Sequence, residues 1–169
     1  MKYLILARHA KSSWNHPHLD DHERPLNKRG LRDAPLMARR LQSTLDNYSL
    51  NHSLVLTSTA ARAKHYAQII ANETDTPIIE QTDLYTFSAA SLLRSIRDLP
   101  QEFDVVTVVA HNPAITAVAD ALSKQHFDNI PTSAYVLLEC KIKSWEDIIN
   151  HSHKCCLFDY PKKETTHNE

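Results

Sequence analysis

Histidine and arginine residues follow three short apolar runs of the sequence, and together these residue types suit phosphate chemistry. Arg8 and His9 come directly after the first run, Arg62 lies shortly after the second, and His111 follows the third. Arginine offers a planar fork of permanently charged donors that fits phosphate oxygens. A neutral imidazole, with an ordinary pKa of about 6.5, is available as a nucleophile. In-line phosphoryl transfer needs little beyond positioning and positive charge around three oxygens, which Arg8, Arg62 and His111 can supply.

The apolar runs are typical of strands that alternate with helices. Strands or extended pieces are predicted at 3–7, 54–56, 78–79, 104–110, 134–140 and 155–158, and helices at 29–45, 60–71, 89–99 and 113–122. This alternation predicts an α/β fold with a mainly parallel central sheet. Ligands of such sheets bind beyond the carboxyl ends of the strands. The two arginines and two histidines are therefore expected to converge on one edge of the sheet.

Two prolines affect the predicted helices. Pro35 interrupts the apolar stripe of the helix at 29–45, so this helix is expected to begin near Asp33 or to be broken there. Pro113 stands where a first-turn proline belongs and is expected to open the fourth helix. The helix N-termini after Ser58 and at Pro113 would then point further donors at a bound phosphate.

Composition excludes several other ways of handling phosphate. Gly30 is the only glycine, where roughly twelve would be usual, so neither GxxxxGK[ST] nor GxGxxG can be written. The net charge of −1 does not favour nucleic-acid or membrane binding. The five apolar residues before Arg8 are too few for a secretory signal or a membrane span. Three cysteines, two of them adjacent, suit reduced thiols, and a cytoplasmic protein is expected.

Two histidine-rich segments raise the alternative of a metal site. Residues 16–23 hold six potential ligands, and residues 151–156 hold two histidines and two cysteines. Neither segment follows a recognised zinc spacing, and Pro17 stiffens the first. We interpret both as polar loops and predict no metal, and the loop at 16–23 is a candidate lid over the pocket.

Several segments, in this order along the chain, carry a resemblance to a known family. They are Arg8-His9-Ala10-Lys11-Ser12-Ser13-Trp14, Arg24-Pro25-Leu26-Asn27, Arg29-Gly30, Asp33-Ala34, Thr57-Ser58-Thr59-Ala60-Ala61-Arg62-Ala63, Leu84-Tyr85, Ala110-His111-Asn112-Pro113, Ile130-Pro131-Thr132-Ser133-Ala134 and Trp145. They resemble branch 1 of the histidine phosphatase superfamily, and more closely its SixA-type phosphohistidine phosphatases. The resemblance implies a three-layer α/β/α sandwich, phosphoglycerate mutase-like, over residues 1–161, followed by a polar tail, residues 162–169, that is expected to fray.

The resemblance also implies roles for the residues at the strand ends. His9 would be the nucleophile that is transiently phosphorylated, and Arg8, Arg62 and His111 would form the phosphate pocket. Water would then hydrolyse the phosphohistidine. The resemblance implies no metal and no organic cofactor. The first loop could add phosphate donors from three further side chains, namely Ser12, Ser13 and Asn15.

The chain departs from the family pattern at three points. Ala10 and Ala110 stand where glycines are usual, and each narrows the permitted backbone angles. Relatives that cleave phosphate esters place an acidic proton donor after the third strand, where the candidates here are Glu80 and Asp83, with Asp83 nearer the expected place. A phosphoramidate can manage without a strong acid because its leaving nitrogen takes a proton from solvent. A weak acid position thus favours protein phosphohistidine as the substrate.

Two other functions remain open at this stage. One is a small-molecule phosphomonoesterase, or a mutase, that uses the same pocket on a phosphorylated metabolite. The other is a non-catalytic module that binds phosphorylated partners, although binding alone would not demand a nucleophile between two cations. The partner is expected to be a phosphorylated protein or a small phosphorylated metabolite, with no nucleic acid and no membrane.

Overall fold

A six-stranded sheet organises the chain in the computed structural model, which describes residues 1–163. The strands are β1 Lys2–Arg8, β2 Leu54–Ser58, β3 Ile78–Gln81, β4 Val105–Ala110, β5 Tyr135–Cys140 and β6 Lys154–Asp159. The helices are α1 Lys28–Asn47, α2 Ala61–Thr74, α3 Ala89–Arg97 and α4 Ala114–Ser123, with three short 3₁₀ helices at Asp21–Glu23, Thr82–Leu84 and Trp145–Asn150. The strand order is β3-β2-β4-β1-β5-β6.

The sheet is mainly parallel, as predicted. Strands β3, β2, β4 and β1 run in parallel pairs, whereas β5 pairs with β1 and β6 pairs with β5 in antiparallel register. Strand β4 lies between β1 and β2 and is buried along its whole length, which explains its run of β-branched residues. The four parallel strands end at the same edge, so the loops after β1, β2 and β4 meet there.

Helices cover both faces of the sheet, which confirms the expected three layers. Leu4 and Leu6 of β1 pack with residues of α3, α4 and the 3₁₀ helix at Trp145–Asn150. Ile5 and Ala7, which point to the opposite face, pack with residues of α1 and α2. Trp145 is fully buried in the first of these layers, and its indole N–H donates to the carbonyl of Phe103 at 2.8 Å.

The prediction that Pro35 delays or breaks the first helix is wrong. Helix α1 begins at Lys28, where the side chain of Asn27 accepts a hydrogen bond from the amide of Gly30 at 2.8 Å, and it continues through Pro35 to Asn47. An interior proline costs a helix about 3 kcal/mol. Burial of the α1 stripe offsets this cost because its apolar side chains fill the layer against α2, namely Ala34, Met37, Ala38, Leu41 and Leu45.

Pro113 precedes the fourth helix instead of occupying its first turn. Helix α4 begins at Ala114, and Pro113 is its N-cap residue. The side-chain oxygen of Asn112 accepts hydrogen bonds from the amide and the hydroxyl of Thr116, at 3.2 and 2.9 Å. Asn112 thus satisfies a free donor of the first turn, which proline cannot do with its own side chain.

The polar tail predicted at 162–169 is held to the protein where it begins. The ammonium group of Lys163 donates to the carbonyl of Phe158 at 2.6 Å, and the carbonyl of Lys163 accepts from Arg40 at 3.3 Å. Lys163 is therefore hydrogen-bonded to β6 and to α1. The rest of the predicted tail, residues 164–169, lies outside the described residues.

Two further observations concern the helices and the cysteines. Among residues 1–163, no helix combines the length and the apolar character needed to cross a membrane. Cys140 is buried, Cys155 and Cys156 are half-buried, and none of the three forms a disulfide within the described residues.

Gly30 is placed where a side chain would not fit. A methyl group on its Cα would overlap the carbonyl oxygen of Lys11, which also accepts the amide hydrogen of Asn27 at 2.9 Å. The start of α1 therefore packs closely against the loop that follows His9. The only glycine of the chain allows this approach.

We predict that Gly30→Ala lowers the free energy of unfolding by about 1–3 kcal/mol, the usual range for overpacking. The loss is expected although alanine is the better helix former by about 1 kcal/mol. Urea denaturation measures the difference, and Ser43→Ala on the exposed face of α1 is the control, expected to be neutral or slightly stabilising. A Gly30→Ala protein as stable as the wild type would contradict the prediction.

Candidate active site

The register of the central strands brings the predicted residues together. Arg8 ends β1 and lies opposite Ala110, which ends β4, so His9 and His111 leave the sheet side by side. Their imidazole centroids are 5.1 Å apart, with the ring planes inclined by 47°. Arg62, from the first turn of α2, contacts both rings. Two guanidinium groups and two imidazoles thus share the carboxyl edge of the sheet.

The tautomer of His9 follows from its two hydrogen bonds. Its Nδ1 lies 2.7 Å from the carbonyl oxygen of Ala10, which can only accept, so Nδ1 carries the proton. Its Nε2 then has a free lone pair and accepts from Nε of Arg62 at 3.4 Å. Burial lowers the pKa of His9 to about 3 with the help of the neighbouring His111, Arg62 and Arg8, although the hydrogen bond to Ala10 acts to raise it. His9 is therefore a neutral imidazole at physiological pH.

His111 is completely buried, and its imidazole contacts side chains on several sides. Nη2 of Arg62 lies 3.5 Å from Nδ1 of His111, so Nδ1 accepts, and Nε2 carries the proton that it donates to Oγ of Ser58 at 2.8 Å. The rings of Tyr85 and Phe87 stand edge-on to His111, with centroids 5.4 and 5.8 Å away. Burial and the Arg62 charge lower the pKa of His111 to about 4.

The guanidinium of Arg8 has one N–H group that makes no hydrogen bond within residues 1–163. Its Nη1 donates to the carbonyl of Ile130 at 3.0 Å, whereas its buried Nε has no partner within residues 1–163. Burial and the charge of Arg62 lower the pKa of Arg8 from its ordinary value. A buried N–H without a partner is costly and rare, and Arg8 directly precedes His9 at the end of β1. An anion bound at this edge would satisfy it.

Backbone contacts fix the residues that carry these side chains. The amide of His9 donates to the carbonyl of Ala110 at 3.2 Å, which continues the β1–β4 pairing past the last strand residue. The amide of Ser133 donates to the carbonyls of Arg8 and His9, at 3.2 and 3.0 Å. Ser133 adopts a positive φ of 67°, and its own carbonyl accepts from the hydroxyl of Tyr66 at 2.7 Å. The nucleophile candidate is thus held by main chain on both sides.

The hydroxyl groups of Ser12 and Ser13, predicted as phosphate donors, make hydrogen bonds to Arg24 and within the first loop. Oγ of Ser12 accepts from Arg24, and Oγ of Ser13 accepts from the amide of Asn15 at 3.1 Å. Asn15 is exposed. The described structure therefore engages Ser12, Ser13 and Asn15 with one another and with Arg24 rather than with His9.

The carboxylate that reaches the site is Asp21, which sequence reasoning considered only as part of the histidine-rich loop. Its Oδ2 accepts from Nη2 of Arg62 at 2.9 Å and from the hydroxyl of Tyr85 at 2.6 Å, and its Oδ1 accepts from Arg24 at 2.9 Å. Burial alone would raise the pKa of Asp21, but the hydrogen bonds from Tyr85, Arg62 and Arg24 outweigh it and hold that pKa well below its usual range. Asp21 is ionised at neutral pH.

The two proton-donor candidates lie elsewhere. Asp83 is exposed and lines a cavity of about 300 Å³ that Tyr85 also bounds, together with Thr86, Ser91 and Arg94. Glu80 pairs with Lys64 at 3.4 Å on the surface. The only sequence signal for Asp21 was its place three residues before Arg24, in a loop without periodicity.

The histidine-rich loop contacts the site but forms no metal cluster. Nε2 of His22 lies 2.8 Å from Oγ1 of Thr59, and the His22 ring packs on Tyr85 with centroids 4.8 Å apart. In the part of the chain that the structure describes, no three histidine, cysteine or acidic side chains are grouped as metal ligands would be. The loop therefore packs over the edge of the site through Asp21 and His22.

Comparison with known proteins agrees with this geometry. Residues 4–89 match the model of the histidine phosphatase superfamily (branch 1). An uncharacterised protein of Mycobacterium leprae is 28% identical over 167 residues, which cover 92% of this chain and 99% of the relative.

Solved structures share the fold at lower identity. SixA of Agrobacterium tumefaciens, named a phosphohistidine phosphatase, matches with a TM-score of 0.78 and 24% identity over 95% of this chain and 98% of its own. Mycobacterial glucosyl-3-phosphoglycerate phosphatase matches with a TM-score of 0.69 and 15% identity over 93% and 98% of the two chains. The match to the family model covers half of the chain, and it includes Arg8, His9 and Arg62. The chain belongs to branch 1 of the histidine phosphatase superfamily.

Proposed function

We propose that the chain is a phosphatase that moves a phosphoryl group from its substrate to Nε2 of His9 and then to water. The observation that carries this proposal is the lone pair on Nε2. It is fixed by the bond from Nδ1 to Ala10 and lies in a buried site between the guanidiniums of Arg8 and Arg62. A nucleophile needs such a free ring nitrogen, whereas a site that only binds phosphate does not.

In the first step, Nε2 of His9 attacks phosphorus, and the bond from phosphorus to the leaving group breaks. The equatorial oxygens then meet the free Nε–H of Arg8 and the N–H groups of Arg62, which also contacts His111. These donors are already ordered by other contacts, so they stabilise the transferred charge without reorganising. The contact of 3.4 Å between Arg62 and His9 is long for a hydrogen bond, and a phosphoryl oxygen would replace it.

In the second step, water attacks phosphorus, the N–P bond breaks, and His9 returns with inorganic phosphate as the product. The released Nε2 recovers its lone pair, because Ala10 keeps the proton on Nδ1. The low pKa of His9 makes the imidazole a good leaving group in this step.

The substrate class that suits this site is protein phosphohistidine. The carboxylate nearest the reacting atoms, Asp21, is ionised and bonded to two guanidiniums, so it is a poor proton donor for an alkoxide. The leaving nitrogen of a phosphoramidate takes its proton from water instead. Likeness to SixA in fold supports the same class. Trp14 stacks on Arg24 and Phe87 packs against His111, and both side chains are exposed, 74% and 52% accessible, so a large carrier could contact them.

A small-molecule phosphomonoesterase is the second candidate. The polar cavity of about 300 Å³ bounded by Tyr85 could hold the rest of a small phosphate ester, because Thr82, Thr86 and Ser91 offer hydroxyl groups there. The fold is also shared with glucosyl-3-phosphoglycerate phosphatase.

We predict that His9→Ala abolishes turnover and the trapping of acid-labile phosphate on the protein, because the variant lacks the Nε2 atom that is proposed to accept the phosphoryl group. The measurement is quenched incubation with labelled substrate, followed by acid and base treatment of the protein. His65→Ala, which removes an exposed histidine of α2, is the control and should behave as wild type. Activity of His9→Ala within about tenfold of wild type, a barrier change of only 1.4 kcal/mol, would refute the mechanism.

A second prediction concerns the substrate. We expect faster hydrolysis of a phosphohistidine peptide than of a simple alkyl phosphate, because no protonated acid is placed to assist an alkoxide. Rates on both substrates and on an aryl phosphate, measured at equal enzyme concentration, test this. A strong preference for the alkyl ester would favour the second candidate function.

A third prediction concerns pH. Because burial lowers the pKa values of His9 and His111 to about 3 and about 4, both stay neutral as the pH falls, and protonation removes activity only near those values. Between about pH 5 and 8, kcat/KM corrected for ionisation of the substrate is therefore expected to be flat. An acidic limb near about 6.5, the ordinary imidazole value, would contradict the assignment of these burial effects.

A further inference from the structure

A negatively charged side chain in a phosphate pocket needs an explanation. Asp21 is in direct contact with Arg62, and Arg62 is in direct contact with His9. A carboxylate near a bound phosphoryl group repels it and offsets part of the positive charge that attracts it. Its presence is therefore unfavourable for anion binding unless it improves the site in another way.

The hydrogen bonds of the Arg62 guanidinium indicate how Asp21 could favour anion binding. A guanidinium has two edges that can each make paired hydrogen bonds. Asp21 holds the outer edge, since its backbone carbonyl accepts from Nη1 at 2.7 Å and its carboxylate accepts from Nη2 at 2.9 Å. The inner edge, Nε and Nη2, faces Nε2 of His9 at 3.4 Å and Nδ1 of His111 at 3.5 Å. The two edges are thus divided between Asp21 and the reacting site.

Asp21 is itself held from the side opposite Arg62. Arg24 donates to its Oδ1 at 2.9 Å, and the hydroxyl of Tyr85 donates to its Oδ2 at 2.6 Å. Arg24 is buried, donates to the carbonyl of Ser13 at 3.0 Å, and stacks on Trp14 with its guanidinium carbon 3.4 Å from the ring centroid. These contacts fix the Asp21 carboxylate, and the carboxylate in turn holds the guanidinium of Arg62.

We propose that Asp21 is a positioning residue for Arg62. It binds the outer edge of the guanidinium so that the inner edge is presented to a phosphoryl group on Nε2 of His9. A free arginine side chain populates many rotamers, and fixing it beforehand removes that ordering cost from anion binding and from the transfer step. This inference rests on the proposed function, but its binding readout does not require turnover.

The test compares Asp21→Ala, Asp21→Asn and the control Asp20→Ala, which removes an equal charge from an exposed neighbour whose side chain makes no cap hydrogen bond. For each protein we would measure kcat and KM on an aryl phosphate, inhibition by vanadate as a phosphoryl mimic, and the melting temperature.

Asp21→Ala is expected to lower kcat/KM by about 10- to 100-fold, the usual effect of losing a hydrogen bond to a charged group. Vanadate binding should weaken in parallel, because the inner edge of Arg62 is no longer held in place. Asp21→Asn should recover part of both losses, since the amide oxygen can still accept from Arg62. Asp20→Ala should match the wild type in all three measurements.

Three results would overturn the proposal. Tighter vanadate binding by Asp21→Ala would show that Asp21 competes with the anion. Equal losses in both Asp21 variants that grow as the leaving group becomes more basic, with vanadate binding unchanged, would identify a proton donor. A lower melting temperature with unaltered kinetics and vanadate binding would leave only a structural role.

Failure of this inference is distinguishable from failure of the proposed function. If the wild type hydrolyses no phosphorylated substrate, the proposed function fails, while vanadate binding by the Asp21 variants still tests the position of Arg62. If the wild type is active and Asp21→Ala keeps both its kcat/KM and its vanadate binding, the inference fails and the proposed function stands.

Discussion

The hydrogen bond from Nδ1 of His9 to the carbonyl of Ala10 is the interaction on which the site depends. It assigns the proton to one ring nitrogen and leaves the other with a lone pair, directed at Arg62. Without it, a buried imidazole between guanidiniums would still be neutral, but its tautomer would be undetermined. The neighbouring cations lower its pKa and at the same time provide the charge that a phosphoryl group needs.

Main-chain pairing makes this arrangement rigid. The amide of His9 extends the β1–β4 ladder to Ala110, and Ser133 caps the carbonyls of Arg8 and His9 from the other side. Because β1 has helices on both faces and strands on both edges, neither its register nor its direction can shift without opening a core layer. His9, the proposed nucleophile, thus directly follows a strand that is held on both faces and both edges, which would preserve a catalytic geometry.

Because the chain has a single glycine, an anion would have to be bound by side chains and not by a glycine-rich loop. Glycine-rich loops bind phosphate through backbone amides, and this chain has one glycine, used at position 30 to let α1 approach Lys11. Side chains take over that task, and long cationic side chains must be ordered by their neighbours. Ile130 orders Arg8, and Asp21 orders Arg62 at the cost of a negative charge close to the site. Two arginines would thus bind the anion and two other residues would hold those arginines in place, because the chain lacks the glycines of a phosphate-binding loop.

The sequence by itself predicted the mainly parallel sheet and the placement of Arg8, His9, Arg62 and His111 after its strands, because strand periodicity and the residues following each strand are local signals. The resemblance of its motifs, a separate signal, indicated the family. The sequence did not determine that α1 passes through Pro35, since burial of the stripe from Ala34 to Leu45 outweighs a local penalty. Nor could it choose Asp21 over Asp83 as the acidic neighbour of Arg62. Both carboxylates lie in three-residue 3₁₀ helices, and only closure of the loop onto Arg24 and Tyr85 decides which of them reaches the guanidinium. The proton position on His9 likewise depends on a carbonyl whose direction exists only in the folded chain.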